Sequence, residues 1–195
     1  MNYSEALKKF ENIELNDCMD FFKENGYALE YAYSLLLSGY PAEAKKIADD
    51  NDSVRFDWLS KLISVCCGRV EYPTYFQLRS FLEIDLTALI KAKRIDYVNN
   101  ILKMAQKFQG INSECYKFIG RCLLKNGYLN EAKIFFDRSL NYYYNDIELH
   151  YLYVEYFLTI GDFQNAKKSA KICLNINPDY YPAKKTYNEL KTFKK

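Results

Sequence analysis

Residues 112–145 read NSECYKFIGRCLLKNGYLNEAKIFFDRSLNYYYN, and residues 146–179 read DIELHYLYVEYFLTIGDFQNAKKSAKICLNINPD. When the second segment is aligned with the first at a shift of 34 residues, Gly127 falls on Gly161. Each segment contains two short amphipathic stretches on either side of this glycine. A repeat of this length and composition is typical of arrays of stacked helix pairs. We therefore expect an all-α protein of about ten to twelve helices.

The repeat continues towards the N-terminus. Counting back 34 residues from Ser113 gives Arg79, and Leu82 then takes the place of Tyr116. In this copy Lys93 stands where the other two copies have their central glycine. The pattern predicts a long helix over 74–93, a second helix over 96–108, and a turn between them that has lost its glycine.

A less complete copy lies near the N-terminus, where two helical stretches flank Gly39. The step from Gly39 to Lys93 is 54 residues rather than 34, so an atypical unit separates them. The expected organisation has three parts. They are N-terminal helices over 1–78 with one degenerate repeat at 25–52, three repeats at 79–112, 113–146 and 147–180, and a C-terminal capping helix over 181–195.

The two clearest copies resemble the tetratricopeptide repeat family, whose pattern has a large residue, a small one, a central glycine, and then alanine and an aromatic. In the copy at 113–146 these places hold Tyr116, Ile119, Gly120, Leu123, Gly127, Ala132 and Phe136. In the copy at 147–180 they hold His150, Tyr153, Val154, Phe157, Gly161, Ala166, Ala170 and Pro178. Small residues at Gly120 and Ala132 let two helices approach closely, and Phe136 fills the gap to the next pair.

The resemblance implies an α-solenoid, a right-handed superhelix of antiparallel helix pairs, with an irregular N-terminal unit. It also implies a concave groove that holds a peptide or helix of a partner protein. The groove residues carried over from the family are Glu83, Thr87, Lys117, Arg121, Lys125, Tyr151 and Glu155. Glu83 and Thr87 stand where chaperone-binding members have lysine and asparagine, so a clamp for the carboxylate of a chaperone tail is disfavoured.

Three cations of this set follow one another along a single helix, at Lys117, Arg121 and Lys125. Such a stripe could hold a carboxylate or an acidic peptide, since a guanidinium forms bidentate contacts with carboxylates. The alternative is a solvated helix face balanced by Glu83 and Glu155, because charge runs usually serve solvation.

Composition argues against several classes of partner. The net charge is +2 over 195 residues, so the chain has no strong electrostatic attraction to nucleic acid or to an anionic membrane. No apolar run approaches the roughly 18 residues that span a bilayer. The first residues, MNYSEALKKFENIEL, carry acidic side chains where a signal peptide would be apolar. We expect a soluble, cytoplasmic protein that binds neither nucleic acid nor membrane.

The six cysteines raise the question of a metal or a disulfide, but none forms a C-x-x-C pair. Cys115, Cys122 and Cys173 occupy places where the family has a small residue, and they are interpreted as buried packing residues. Cys66 and Cys67 are adjacent and cannot both face inward. His150 is the only histidine and is interpreted as a packing residue rather than a base.

Aromatic clusters at 142–144 and 180–181 coincide with the predicted turns between repeats. A stacking surface for single-stranded nucleic acid would need them interleaved with a basic groove. Since the chain is almost neutral, packing between repeats is the preferred interpretation.

No phosphate-binding glycine loop, metal-ligand spacing or nucleophile motif is present in the sequence. We therefore expect a non-catalytic protein–protein interaction scaffold with no cofactor and no metal. Two alternatives remain open. Residues 71–102 are similar to repeat regions accompanying bacterial glycosyltransferases, and an array of this kind also occurs in subunits of large multiprotein assemblies. Self-association through an apolar end of the array is compatible with each of them.

Overall fold

The computed structural model describes residues 1–192, and within them the chain is helical with no strand. Contact clustering divides it into two compact units, residues 1–112 and the residues from Ser113 onward. The first unit contains α1 (Tyr3–Glu11), α2 (Leu15–Glu24), α3 (Ala28–Ser38), α4 (Pro41–Asp49), α5 (Val54–Cys66), α6 (Tyr75–Ser80), a π-helical segment (Phe81–Asp85), α7 (Leu86–Lys91), α8 (Ile95–Lys103) and α9 (Ala105–Gln109).

The second unit contains α10 (Cys115–Lys125), α11 (Leu129–Leu140), α12 (Ile147–Thr159), α13 (Phe163–Ile176) and α14 (Tyr181–Thr192). The fourteen α-helical segments of residues 1–192 exceed the expected ten to twelve. The difference arises because the long helix predicted over 74–93 contains a π-helical segment and the helix predicted over 96–108 is interrupted at Met104. Residues 193–195 of the predicted capping helix lie outside the described residues.

Within each unit, helices that follow one another in the chain pack together. Contacts also join alternate helices, namely α3 with α5 in the first unit, and α10 with α12 and α12 with α14 in the second. The apolar centre of the first unit includes Ala6, Cys18 and Phe22, and that of the second includes Val154 and Ala183.

Seven helix ends share one type of closing turn. At each of them the backbone N–H of the residue in the left-handed conformation bonds to the carbonyl three residues back, and the next N–H bonds to the carbonyl five residues back. The residues in the left-handed conformation are Ile13, Gly26, Gly39, Gly68, Lys93, Gly127 and Gly161. Five are glycine because that conformation crowds a Cβ atom.

Lys93 is therefore a geometric equivalent of Gly127. Its φ is +58°, against +83° for Gly127. The hydrogen bond from Arg94 N–H to the Leu89 carbonyl is 2.9 Å long, as is the bond from Tyr128 N–H to the Leu123 carbonyl. The turn predicted at Lys93 is confirmed, and the copy at 79–112 keeps the turn without the residue that forms it most easily.

The close approach predicted between Gly120 and Ala132 is confirmed. A Cβ atom added at Gly120 would lie 2.5 Å from Cε1 of Phe136 and 3.3 Å from the carbonyl oxygen of Ala132. The ring of Phe136 also contacts Tyr153 of α12, with centroids 5.5 Å apart. Phe136 thus joins the α10–α11 pair to the next helix pair, as the repeat pattern predicted.

The cysteines pack as expected. Cys115, Cys122 and Cys173 are buried, whereas the adjacent Cys66 and Cys67 are buried and exposed respectively. Burial raises the pKa of Cys115 to about 12 and that of Cys173 to about 11, so both remain thiols at neutral pH. His150 is also buried, and its Nε2 lies 2.7 Å from the carbonyl oxygen of Tyr144.

The interpretation of the tyrosine clusters as packing between repeats is wrong for most of them. Tyr142, Tyr143, Tyr144 and Tyr181 are exposed. Tyr180 is the exception, since its ring meets that of Tyr151 edge-on at 5.7 Å. The turns place the other rings on the outer side of the chain, where a flanking helix does not cover them.

Candidate functional site

The first unit contains two adjoining cavities of about 240 and 340 Å³. Both are lined by Phe10 of α1, Leu37 of α3, Ile84 of the π-helical segment and Ala88 of α7. We call the two cavities together the N-terminal groove. Ile84 is 66% exposed although it is a large apolar residue in the middle of a helical run. The shared lining is thus an apolar surface that no other part of the first unit covers.

The 340 Å³ cavity, called the Glu83 cavity, carries most of the polar residues of the groove. Besides the shared apolar residues it is lined by Glu11, Ile13, Glu83, Thr87 and Lys91. Arg79 Nε donates to the Glu83 carboxylate at 3.2 Å, and the Thr87 hydroxyl donates to the Glu83 carbonyl at 2.6 Å. Glu83 and Thr87, predicted as groove residues, therefore lie side by side along one wall of a real cavity.

The 240 Å³ cavity, called the Asp85 cavity, is almost entirely apolar apart from two groups. Its remaining lining residues are Tyr33, Leu36, Leu62, Asp85 and Leu89. The indole N–H of Trp58 donates to Oδ2 of Asp85 at 3.0 Å, and the hydroxyl of Tyr33 also hydrogen-bonds to this carboxylate. No cationic side chain among residues 1–192 forms an ion pair with Asp85.

Burial raises the pKa of Asp85 to about 6, although the hydrogen bonds from Trp58 and Tyr33 favour the charged form. Burial, together with the charge of Asp85, also raises the pKa of Tyr33 well above its usual range, so Tyr33 remains a neutral donor. A carboxylate in this environment is an uncommon feature, since buried charges are normally paired. It lies in a π-helical segment, a type of distortion that is frequent at functional sites.

Sequence reasoning missed Asp85, although a signal was present. Leu78, Leu82 and Leu89 are fully or almost fully buried, and Asp85 stands three residues after Leu82 and four before Leu89. Residues at this spacing share one face of a helix. An acidic residue on an otherwise apolar helical face could have been predicted to be partly buried and to need a partner.

A third cavity, of about 470 Å³, is lined by polar residues of α2 and of the turns after α3 and α7. Its charged groups already have internal partners. Lys9 pairs with Glu14 at 3.3 Å and with Asp17 at 2.7 Å, and Arg94 Nε donates to the carbonyl of Leu37 at 2.5 Å. It therefore offers a weaker recognition surface than the N-terminal groove.

The predicted cationic stripe of the second unit takes part in a buried ion cluster. Lys117 is 3% exposed, and its Nζ lies 2.6 Å from Glu114, 2.6 Å from Asp146 and 3.0 Å from Glu148. Burial alone would lower the pKa of Lys117, but hydrogen bonds to these three carboxylates outweigh burial and raise it above its usual range. Lys117 is thus a charged link between α10 and the start of α12.

Arg121 belongs to the same cluster. It is 9% exposed, and its guanidinium pairs with Glu148. Burial would raise the pKa of Glu148, yet Lys117 and Arg121 together lower it. The interpretation of the stripe as a solvated face balanced by Glu83 and Glu155 is therefore wrong for Lys117 and Arg121, which are buried and paired with other carboxylates.

The remaining predicted residues of the second unit are more accessible. Lys125 is exposed at the end of α10, and Glu155 of α12 is partly buried. Burial raises the pKa of Glu155, and the charges of Lys125 and Arg121 oppose this shift. Tyr151 packs against the apolar centre of the second unit. A binding role for these residues stays a prediction.

Among residues 1–192, no group of three or more histidine, cysteine or acidic side chains is arranged to hold a metal ion. In the same part of the chain, no helix has both the length and the apolar character needed to cross a membrane. Comparison of the chain with protein-family models, with curated proteins and with solved structures finds no match. The function is therefore argued from the geometry of the groove alone.

Proposed function

We propose that the chain is a non-catalytic protein–protein interaction scaffold that binds an amphipathic peptide or helix of a partner protein in the N-terminal groove. The scaffold would be built from tetratricopeptide-like helix pairs stacked into a right-handed superhelix. The observation that carries the proposal is the exposure of Ile84 over an apolar floor formed by Phe10, Leu37 and Ala88. Grooves of this kind commonly receive the apolar face of a partner helix.

The charges along the groove indicate the chemistry of the partner. Glu11, Glu83 and Asp85 line it, against one basic residue, Lys91. Charge complementarity contributes specificity and faster association more than raw affinity. The partner segment therefore presents apolar side chains at helical spacing together with lysine or arginine.

Selection of peptides from a displayed library tests this proposal. The immobilised protein should enrich basic, amphipathic sequences, and Ile84→Asp should abolish their binding because it places a charge on the apolar floor. Ile134→Asp is the matched control, since Ile134 is an exposed isoleucine within α11 of the second unit. Enriched peptides that bind wild type and Ile84→Asp equally would contradict the proposal.

A further inference from the structure

We infer that the Asp85 cavity is a recognition pocket for an alkylammonium group, supplied by a lysine side chain of the bound partner segment. The inference rests on the proposed function for the source of the ammonium group. Its chemistry rests on the lining of the cavity alone.

The size of the cavity fits one side chain. Its volume of about 240 Å³ lies below the range of about 300–1,000 Å³ that is typical of small-molecule sites. The walls are the aliphatic side chains of Leu36, Leu62 and Leu89, with Ile84 and Ala88 shared with the rest of the groove. A linear run of methylene groups is the ligand shape that such walls can cover without leaving a polar atom unpaired.

The polar end of the cavity fits a cation. Asp85 is the only acidic residue of the lining, and Tyr33 and Trp58 approach its carboxylate as neutral donors. A carboxylate has about four acceptor positions, so two donors leave room for more. An ammonium group placed there would form the ion pair that this carboxylate lacks within residues 1–192.

The hydrogen bonds already present favour lysine over arginine. The indole of Trp58 occupies Oδ2 of Asp85 at 3.0 Å. A guanidinium binds a carboxylate best through two parallel bonds, one to each oxygen, and this occupation competes with that arrangement. A lysine ammonium is a compact charge that needs only one oxygen and can rotate to suit it.

The position of the cavity connects it to the peptide-binding surface. Ile84 precedes Asp85 in the π-helical segment and lines both cavities of the groove. A partner helix lying over Ile84 therefore has the Asp85 cavity directly beside it. One lysine among the apolar contacts of that helix would enter the cavity, and its ammonium would reach the carboxylate.

The chain contains a built-in reporter for the first test. Trp58 is its single tryptophan and touches the carboxylate in question. The probe is n-butylammonium chloride, which reproduces the lysine side chain, and the neutral control is 1-butanol. Both are titrated at pH 7.5 and matched ionic strength, with Trp58 fluorescence and the amide chemical shifts of Ala88 and Leu89 as readouts.

Saturable binding of n-butylammonium with a millimolar dissociation constant is expected, and 1-butanol should not reproduce it. Asp85→Asn should weaken binding by about tenfold or more, because it removes the charge but keeps an acceptor for Trp58. Equal binding of the alcohol, unchanged binding in Asp85→Asn, or the absence of saturable binding would each overturn the inference.

The second test uses peptides that require Ile84. Replacing their lysine by norleucine should weaken binding by about tenfold, and replacement by arginine should weaken it also. Unchanged affinity of the norleucine peptide would overturn the inference while leaving the proposed function in place. Failure of the proposed function has a different signature, namely peptides that bind Ile84→Asp as well as they bind wild type.

Discussion

The indole nitrogen of Trp58 lies 3.0 Å from Oδ2 of Asp85, although 27 residues separate the two in the chain. This bond joins α5 to the π-helical segment at the base of an apolar cavity. It provides part of the stabilisation that lets a carboxylate remain in a position where burial raises its pKa to about 6. The pair therefore has consequences for stability as well as for binding.

Asp85 should make the stability of the protein depend on pH in the acid range. The folded pKa of about 6 exceeds the unfolded value of 3.8, so the folded chain holds this proton more tightly. The free energy of unfolding contributed by Asp85 thus falls as pH rises from about 4 to about 6 and is constant above that. Tyr33 and Cys66, whose pKa values are raised by burial, stay neutral throughout this window.

Urea unfolding of wild type and Asp85→Asn between pH 4.5 and 7.5 measures this effect. The variant should gain stability relative to wild type as pH rises, by on the order of 1–2 kcal/mol across the window. Asn preserves an acceptor for Trp58, so the comparison isolates the charge. A stability difference that does not change with pH would show that Asp85 ionises like an exposed carboxyl.

Lys93→Gly should stabilise the protein by about 0.5–1 kcal/mol. A residue other than glycine in the left-handed conformation costs about 1–2 kcal/mol, part of which the greater freedom of glycine in the unfolded chain offsets. Gly127→Lys is the reciprocal variant, because a Cβ atom at Gly127 meets no atom within 4 Å and only the backbone conformation opposes it. Chemical denaturation should show opposite signs for the two variants, and equal signs would refute the equivalence of these turns.

Gly120→Ala should destabilise the second unit by about 1–3 kcal/mol, because the new methyl group would lie 2.5 Å from the ring of Phe136. Adding Phe136→Leu should recover part of the loss by making room for it. Gly110→Ala serves as the control, since Gly110 is exposed and has an ordinary helical backbone. A melting experiment that finds Gly120→Ala as stable as Gly110→Ala would contradict the close helix contact.

Lys117→Met should cost about 3 kcal/mol or more, because it leaves Asp146 and Glu148 without their buried cation. Lys125→Met changes a charge of the same predicted stripe at an exposed position, where substitutions usually alter stability by less than about 0.5 kcal/mol. Unfolding midpoints of the two variants give the comparison. Similar losses in both would mean that the ion cluster does not stabilise the second unit.

The features that the sequence predicted well are those set by neighbours at short or repeated spacing. The turn at Lys93 follows from the 34-residue step to Gly127, and the contact of Gly120 with Phe136 follows from small residues on facing helices. Both depend on backbone geometry, which the repeat copies from one unit to the next. The burial of Cys115 follows from the same rule.

The features that it missed depend on which distant side chains meet. Lys117 has two of its carboxylates 29 and 31 positions further along the chain, so a helix read alone shows a cationic face. Asp85 becomes unusual only when Trp58 and Tyr33 close around it. The exposure of Tyr144 follows from the direction in which a turn leaves the helix, and composition carries no information on that direction.

The binding constant of one selected basic, amphipathic peptide for wild type, Ile84→Asp and Ile134→Asp tests the interaction groove most directly. Isothermal titration calorimetry should find equal affinity for wild type and Ile134→Asp, and a loss of at least about tenfold for Ile84→Asp. Equal affinity of all three proteins would contradict the assignment of the N-terminal groove as the partner-binding site.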